Sequence, residues 1–222
     1  MNMVSTVDGK VTLGHSAAGI GSRTDALVMR QLRASVDAVM HGAGTLRAEL
    51  VDPRVDHPRV LQRVARGLTP QPLAVAVSGS LDLNPSLRYF VNGPAGTVIL
   101  TAAAAPGSRR ERLARYATVI AEGESEIDLS AALIRLRREH GVRTLLSEGG
   151  PSLNQRLLDA GSIDEVFWTV APKLAGGSGP TLIQGDVVAM SVRAQLALVS
   201  LFEHDGELFA RYRVERSGNA QK

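Results

Sequence analysis

VRTLLSEGGPSLNQRLLDA, residues 142–160, decides how this chain is read. An apolar run from Val142 to Leu146 stops at Ser147-Glu148-Gly149-Gly150-Pro151, and an amphipathic stretch starts at Ser152. The pattern predicts a buried strand, a glycine turn and a helix. First-turn helical amides have no intrahelical acceptor and lie at the positive end of the helix dipole, so such a turn suits a phosphate or pyrophosphate. Two adjacent glycines let a ligand reach the backbone with no Cβ in the way. Pro151 lacks an N–H and has a preset φ, which fits a helix start. Taken alone, Glu-Gly-Gly-Pro equally fits an ordinary tight strand-to-helix turn.

Working outward, Met3 to Thr6 reads as a first strand ending at Val7-Asp8-Gly9. Asp25 to Arg33 places Leu27, Val28 and Leu32 on one helix face, with Ser22 or Thr24 as N-cap. Val36 to Met40 is a buried strand followed by Gly42-Ala43-Gly44-Thr45 and a short helix to about Glu49. Residues 50–72 carry four prolines and many arginines and read as one long loop. Within it Arg54, His57, Arg59, Arg63 and Arg66 face only Asp56, a solvated basic loop or a place to greet an anion.

Strands follow at Leu73 to Val77, Thr97 to Leu100 and Ala117 to Ala121, with helices at Arg109 to Tyr116 and Leu129 to His140. Glu165 to Val170 is a further strand. Ala194 to Leu201 and Leu208 to Val214 alternate around Glu203-His204-Asp205-Gly206, a hairpin signal. Strands alternating with helices predict a largely parallel α/β sheet, and the hairpin predicts an antiparallel edge.

The 222 residues are 44% apolar, enough for a globular core, with no cysteine and a formal charge of +3. Without cysteine there is no disulfide, zinc-thiolate site or thiol nucleophile, and we expect no metal. Only Lys10, Lys173 and Lys222 are lysines, the remaining basic residues being arginine dispersed among acids. Aromatic residues make up 4%, too few for a nucleic-acid stacking platform. No signal peptide or membrane-length apolar run is seen, so a cytoplasmic location is expected, without membrane or nucleic-acid partners.

Ligands of parallel α/β sheets sit outside the carboxyl ends of the strands. Those ends here carry Gly44 and Thr45, Ser78, Thr101, and Glu148 to Ser152. Two helix starts on one sheet edge suit a dinucleotide. Neither the G-x-G-x-x-G nor the P-loop pattern occurs.

Asn2 to Gly9, Leu32 to Glu49, Leu145 to Ala160, Ile163-Asp164-Glu165 and Ala171 to Gly177, in that order, resemble the riboflavin-biosynthesis pyrimidine reductases. These form the C-terminal half of bifunctional deaminase-reductases. The resemblance implies a dihydrofolate reductase-like, three-layer α/β/α fold with a mostly parallel central sheet. It implies one domain over residues 1–216, and residues 217–222 read as a flexible tail.

It further implies NADPH-dependent reduction of the ribosyl carbon of a phosphoribosylaminopyrimidine to the ribityl form, in a homodimer. Carried across, Thr45 and Glu49 hold the nicotinamide half, and Ser78 and Thr101 lie along the adenosine half. Gly149, Gly150, Pro151, Ser152 and Leu153 hold the pyrophosphate, with Ser5 and Gly44 also at the cofactor. Glu148, Arg33 and Arg54 face the substrate, and Lys10, Asp8 and Glu148 form the catalytic set. Glu49 stands where many members have Asp, and its spacing to Pro53 is longer than the common version.

Each residue has a plainer reading: Lys10 as a solvated charge, Asp8 as a turn cap, Glu148 as an arginine's structural partner. His41 reads as a core or strand-end histidine without a chemical role, Arg47 as a surface charge, and Trp168 as core. A dihydropterin or other small carbonyl or imine substrate fits the same fold, as does a non-catalytic nucleotide-binding module.

Overall fold

The computed structural model describes residues 1–14, 16–185 and 194–215. Its strands are β1 (Asn2–Thr6), β2 (Ala38–Gly42), β3 (Leu73–Val77), β4 (Thr97–Thr101), β5 (Thr118–Ala121), β6 (Leu145–Ser147), β7 (Glu165–Ala171), β8 (Gln195–His204) and β9 (Glu207–Glu215). The helices are α1 (Arg23–Arg33), α2 (Ala43–Ala48), α3 (His57–Ala65), α4 (Gly93–Gly96), α5 (Gly107–Leu113), α6 (Leu129–His140) and α7 (Pro151–Asp159). Tertiary contacts divide the chain into two compact units, Met1–Val28 with Gly149–Lys222, and Met29–Glu148, with α1 running across the division. The tail expected at 217–222 lies outside the described residues.

The unit Met29–Glu148 carries a five-stranded, wholly parallel sheet in the order β5-β4-β3-β2-β6. Its central strands are apolar runs with no alternation: Ala38, Val39 and Met40 are fully buried, as are Val75, Ala76, Val98, Ile99 and Leu100. That is the signature of a sheet covered on both faces. Leu46, Leu81, Tyr89, Phe90, Ile99 and Leu113 pack in one core cluster. Asp128 caps α6 by accepting from the Ala131 amide at 2.9 Å, and Gly141 follows its last turn.

Residues 50–72 are not one loop: α3 occupies nine of them. Asp56 caps it by accepting from the Arg59 amide, and Pro58 sits in the first turn, where a missing N–H costs nothing. Nor is the basic stretch wholly solvated. Arg63 is fully buried and donates to the carbonyls of Thr69 (2.8 Å), Val36 (2.6 Å) and Arg33 (3.1 Å), while Arg59 pairs with Asp56.

The unit Met1–Val28 with Gly149–Lys222 carries a second sheet, β1-β7-β9-β8, in which β1 and β7 are parallel and β7-β9-β8 antiparallel. The terminal hairpin is therefore part of this sheet, not an edge of the five-stranded one. Its two-residue turn has positive φ at Asp205 (51°) and Gly206 (78°), the conformation that matches the twist of the flanking strands. A bulge between Leu198 and Ser200 shifts the β8 register by one. Leu201 pairs with Ala210 as Leu198 pairs with Tyr212, so Leu196, Leu198 and Leu201 share one face.

Candidate active site

The strand order of the five-stranded sheet reverses beside β2. Strands β3, β4 and β5 follow on one side, and the chain then returns to set β6 on the other. A switch point of this kind opens a crevice at the carboxyl ends of the strands it separates. Here those ends are Gly42-Ala43-Gly44-Thr45 and Ser147-Glu148. Asp37 ties the strands together at their amino ends, its Oδ2 accepting from the amides of Arg143 (2.9 Å) and Thr144 (2.8 Å). At the carboxyl ends the Glu148 amide donates to the Met40 carbonyl at 3.0 Å, which brings Glu148 beside His41.

Glu148 is the centre of a buried polar network. Arg33 Nε donates to Oε1 at 2.7 Å and Nη2 to Oε2 at 2.6 Å, with the two side chains only 9% and 6% exposed. His41 Nε2 lies 3.0 Å from Oε2, and His41 Nδ1 lies 3.3 Å from the Tyr89 hydroxyl. Burial by itself raises the carboxyl pKa. The hydrogen bonds and charge of Arg33, then those of His41, outweigh it and lower the value from 4.5 to about 2. Burial raises the Tyr89 phenol well above its usual value, keeping it protonated.

Arg33 also donates from Nη1 to the Asp52 carbonyl at 2.8 Å. Arg54 makes a two-pronged pair with the Asp52 carboxylate (2.8 and 2.6 Å), and Arg88 reaches the same group at 3.3 Å. Of the three expected substrate residues, Arg33 and Glu148 therefore hold each other, and Arg54 is held by Asp52. His41, Tyr89 and Asp52 were not expected in this network.

Ser78 follows β3 and Thr101 ends β4, on the same sheet edge. Ser78 Oγ accepts from the Leu81 amide at 3.0 Å, whereas the buried Thr101 hydroxyl has no partner. Gly44 is exposed, with open space where a Cβ would stand, and Gly42 starts α2 without a side-chain cap. Glu49 closes α2, its amide donating to the Thr45 carbonyl. An orphan buried hydroxyl and a bare helix start on one carboxyl edge fit a nucleotide. Among the described residues no group of three or more His, Asp or Glu is placed to hold a metal ion. Nor is any helix among them long and apolar enough to cross a membrane.

The other unit holds the remaining candidates. Asp8 accepts from the amides of Ala175 (3.0 Å) and Gly176 (2.7 Å). A Thr6 hydrogen bond and these amides lower its pKa from 3.8 to about 2. Lys10 Nζ donates to the Gly179 carbonyl at 3.3 Å. Ser5 is buried, donates to the Thr6 carbonyl and accepts from the indole of Trp168, so Trp168 is a half-buried donor and not plain core. Gly149 has φ +85°, and a Cβ there would stand 3.1 Å from Met3 Sδ. Gly150 precedes α7 without a side-chain cap, Pro151 opens the helix, Ser152 is exposed and Leu153 buried.

Comparison with known proteins adds three relatives. The chain is 32% identical over 200 residues to 2,5-diamino-6-ribosylamino-4(3H)-pyrimidinone 5′-phosphate reductase of Methanothermobacter thermautotrophicus, covering 88% of this chain and 89% of that one. The protein of the same name from Archaeoglobus fulgidus is 31% identical, with 95% and 94% covered. The crystal structure of a pyrimidine reductase-like protein from Corynebacterium diphtheriae superimposes with a TM-score of 0.84 at 26% identity, over 97% and 90% of the two chains. The RibD C-terminal domain matches residues 1–207, and the chain belongs to that family.

Proposed function

We propose that this chain is an oxidoreductase that uses NADPH to reduce 2,5-diamino-6-ribosylamino-4(3H)-pyrimidinone 5′-phosphate to its ribityl form, a step of riboflavin biosynthesis. What carries the reading is that relatives of that name match at 31–32% identity across 89–94% of their own length. These 222 residues have no cysteine, so they hold no paired-cysteine zinc site of a cytosine-type deaminase. The undeaminated pyrimidine, which the names of these relatives print, is the substrate we favour over the uracil form.

A bound reduced nicotinamide supplies the hydride; the protein's part is to hold, orient and stabilise. In the unit Met29–Glu148, Gly44, Thr45, Glu49, Ser78 and Thr101 are the residues we assign to the nucleotide. In the other unit we assign Gly149, Gly150, Ser152 and Leu153 to phosphate, through backbone amides at a helix start, with Pro151, which has no N–H to offer, fixing the first helical φ. Ser5 contributes backbone only, because its hydroxyl already serves Trp168 and Thr6.

Glu148 is too acidic to deliver a proton, so it works as an ionised acceptor that orients a substrate N–H or O–H. Arg33 stands behind Glu148, and Arg54 is the guanidinium left to greet the ribose phosphate. Lys10 keeps donors beyond its Gly179 bond and stabilises charge developing on the sugar oxygen. Asp8 holds the segment at Ala175 and Gly176.

We further infer a homodimer formed through the β8 face of Leu196, Leu198 and Leu201, which are 45%, 54% and 52% exposed. A long apolar edge strand left in water invites association. The test of the activity is loss of NADPH absorbance with the diaminopyrimidinone ribose phosphate, with the deaminated form and dihydrofolate alongside. Turnover of dihydrofolate alone would overturn the substrate, and turnover of none with tight NADPH binding would leave a nucleotide-binding module.

A further inference from the structure

His41 is the penultimate residue of β2 and 1% exposed, yet both of its ring nitrogens face polar groups. A buried histidine needs partners for its ring nitrogens, and here both are side chains, one of them the Glu148 carboxylate. One engaged at both ends is oriented, and it orients what it touches. Tyr89 anchors the ring from inside the core cluster, with an edge-on contact at 5.5 Å and 88°. The ionised Glu148 accepts and cannot donate, so the proton between the two residues belongs to His41 Nε2.

A carboxylate offers about four lone-pair sites. At Glu148, Arg33 Nε takes one on Oε1, and Arg33 Nη2 and His41 Nε2 take both on Oε2. We infer that His41 is a positioning residue: held by Tyr89, it fills the second site of Oε2 and leaves Oε1 as the oxygen that accepts a donor from the substrate. The inference rests on the reading of Glu148 as a substrate-facing group of a reductase.

The groups that face Glu148 are Arg33 from α1 and His41 from β2. Tyr89 stands behind His41, and Asp52, paired with Arg54 and Arg88, stands behind Arg33. Removing the His41 donor while keeping Arg33 leaves the carboxylate ionised and still paired, but opens the second site of Oε2 to a competing donor and makes the group easier to protonate.

The test compares His41→Leu with His41→Gln, whose amide N–H reaches the place of Nε2. A hydrogen bond to a charged group is worth roughly a 10- to 100-fold rate effect. His41→Leu should lose that much kcat/KM for the ribosylaminopyrimidine phosphate with NADPH Kd unchanged, and the acid limb of its pH profile should move up. His41→Gln should restore the rate to within about threefold, the margin left by an imperfect amide mimic.

Equal losses in Leu and Gln, no loss in either, or a parallel loss of NADPH affinity would overturn the assignment. The Glu148 carboxyl, followed by carbon NMR in the free protein, gives a readout independent of turnover. Its titration should move up in His41→Leu and stay put in His41→Gln. If the native protein reduces no ribosylaminopyrimidine, the reductase reading falls, and this titration alone decides whether His41 holds Glu148.

Discussion

Arg33 and Glu148, 115 residues apart in sequence, meet through two parallel hydrogen bonds of 2.7 and 2.6 Å in a site almost closed to water. The pair joins the end of α1 to the end of β6. Breaking a buried pair leaves its other charge without a partner, and that costs more than the pair itself contributes. Arg33→Met should therefore lower unfolding free energy by about 3 kcal/mol or more in urea melts. Arg33→Met combined with Glu148→Leu should recover part of it, because no buried charge remains. Additive losses in the double variant would contradict this account.

Acid should act on the same pair. The Glu148 pKa is lowered on folding, from 4.5 to about 2, so its contribution is fully present above about pH 4.5 and is lost as pH falls through about 2. Stability measured by urea between those limits should fall with a slope that Glu148→Gln flattens, the difference amounting to on the order of 1–3 kcal/mol. Asp8 shifts in the same direction and adds to the slope in both proteins. Parallel curves for native and variant would rule out Glu148 as a source of the acid lability.

Gly149 combines two constraints, a φ of +85° and a Met3 sulfur 3.1 Å from where a Cβ would stand. Gly149→Ala should cost roughly 1–3 kcal/mol from the backbone alone. Met3→Ala in the same chain relieves the contact and leaves the φ, so it should rescue little. Full rescue in thermal melts would make the sulfur contact, not the backbone, the reason for glycine.

The glycine turn at 148–151 and the parallel strands were legible because buried parallel strands are short apolar runs punctuated by Gly and Ser. Strand β3 and helix α6 fall at the residues expected of them. Helix α3 was hidden for two reasons. The prolines around it and Pro58 within it read as breakers, and it buries Arg63 while leaving Leu61 and Val64 exposed, so its apolar spacing points away from the core. His41 was illegible as a site residue because its partners lie 48 and 107 residues away, and strand spacing says nothing of which neighbour a side chain meets. The bulge in β8 was equally invisible, since alternation simply slips by one there.

Arg63 offers a further check on that buried surface. Its guanidinium satisfies three backbone carbonyls, including that of Arg33, with no carboxylate among the described residues hydrogen-bonded to it. Arg63→Leu leaves the buried Arg33 carbonyl and the part-buried Val36 carbonyl without this donor and should cost about 2–4 kcal/mol. Arg63→Lys should not restore it, because one ammonium cannot reproduce the planar fork. Equal stability of Lys and native proteins would mean that charge alone is needed.

The bulge gives the dimer its own test. It sets Leu196, Leu198 and Leu201 on one face of the hairpin, while Phe202, 68% exposed and paired with Phe209, stands on the other. Buried carboxylates without partners are strongly unfavourable, so Leu198→Glu with Leu201→Glu should yield monomers by light scattering at micromolar protein. Phe202→Glu should leave the dimer intact. Its exposure exceeds that of either leucine, so an interface driven by apolar area alone would respond to Phe202 first. Only an interface set by the register of β8 separates the two faces, and dissociation by Phe202→Glu alone would place the partner on the opposite side of the sheet.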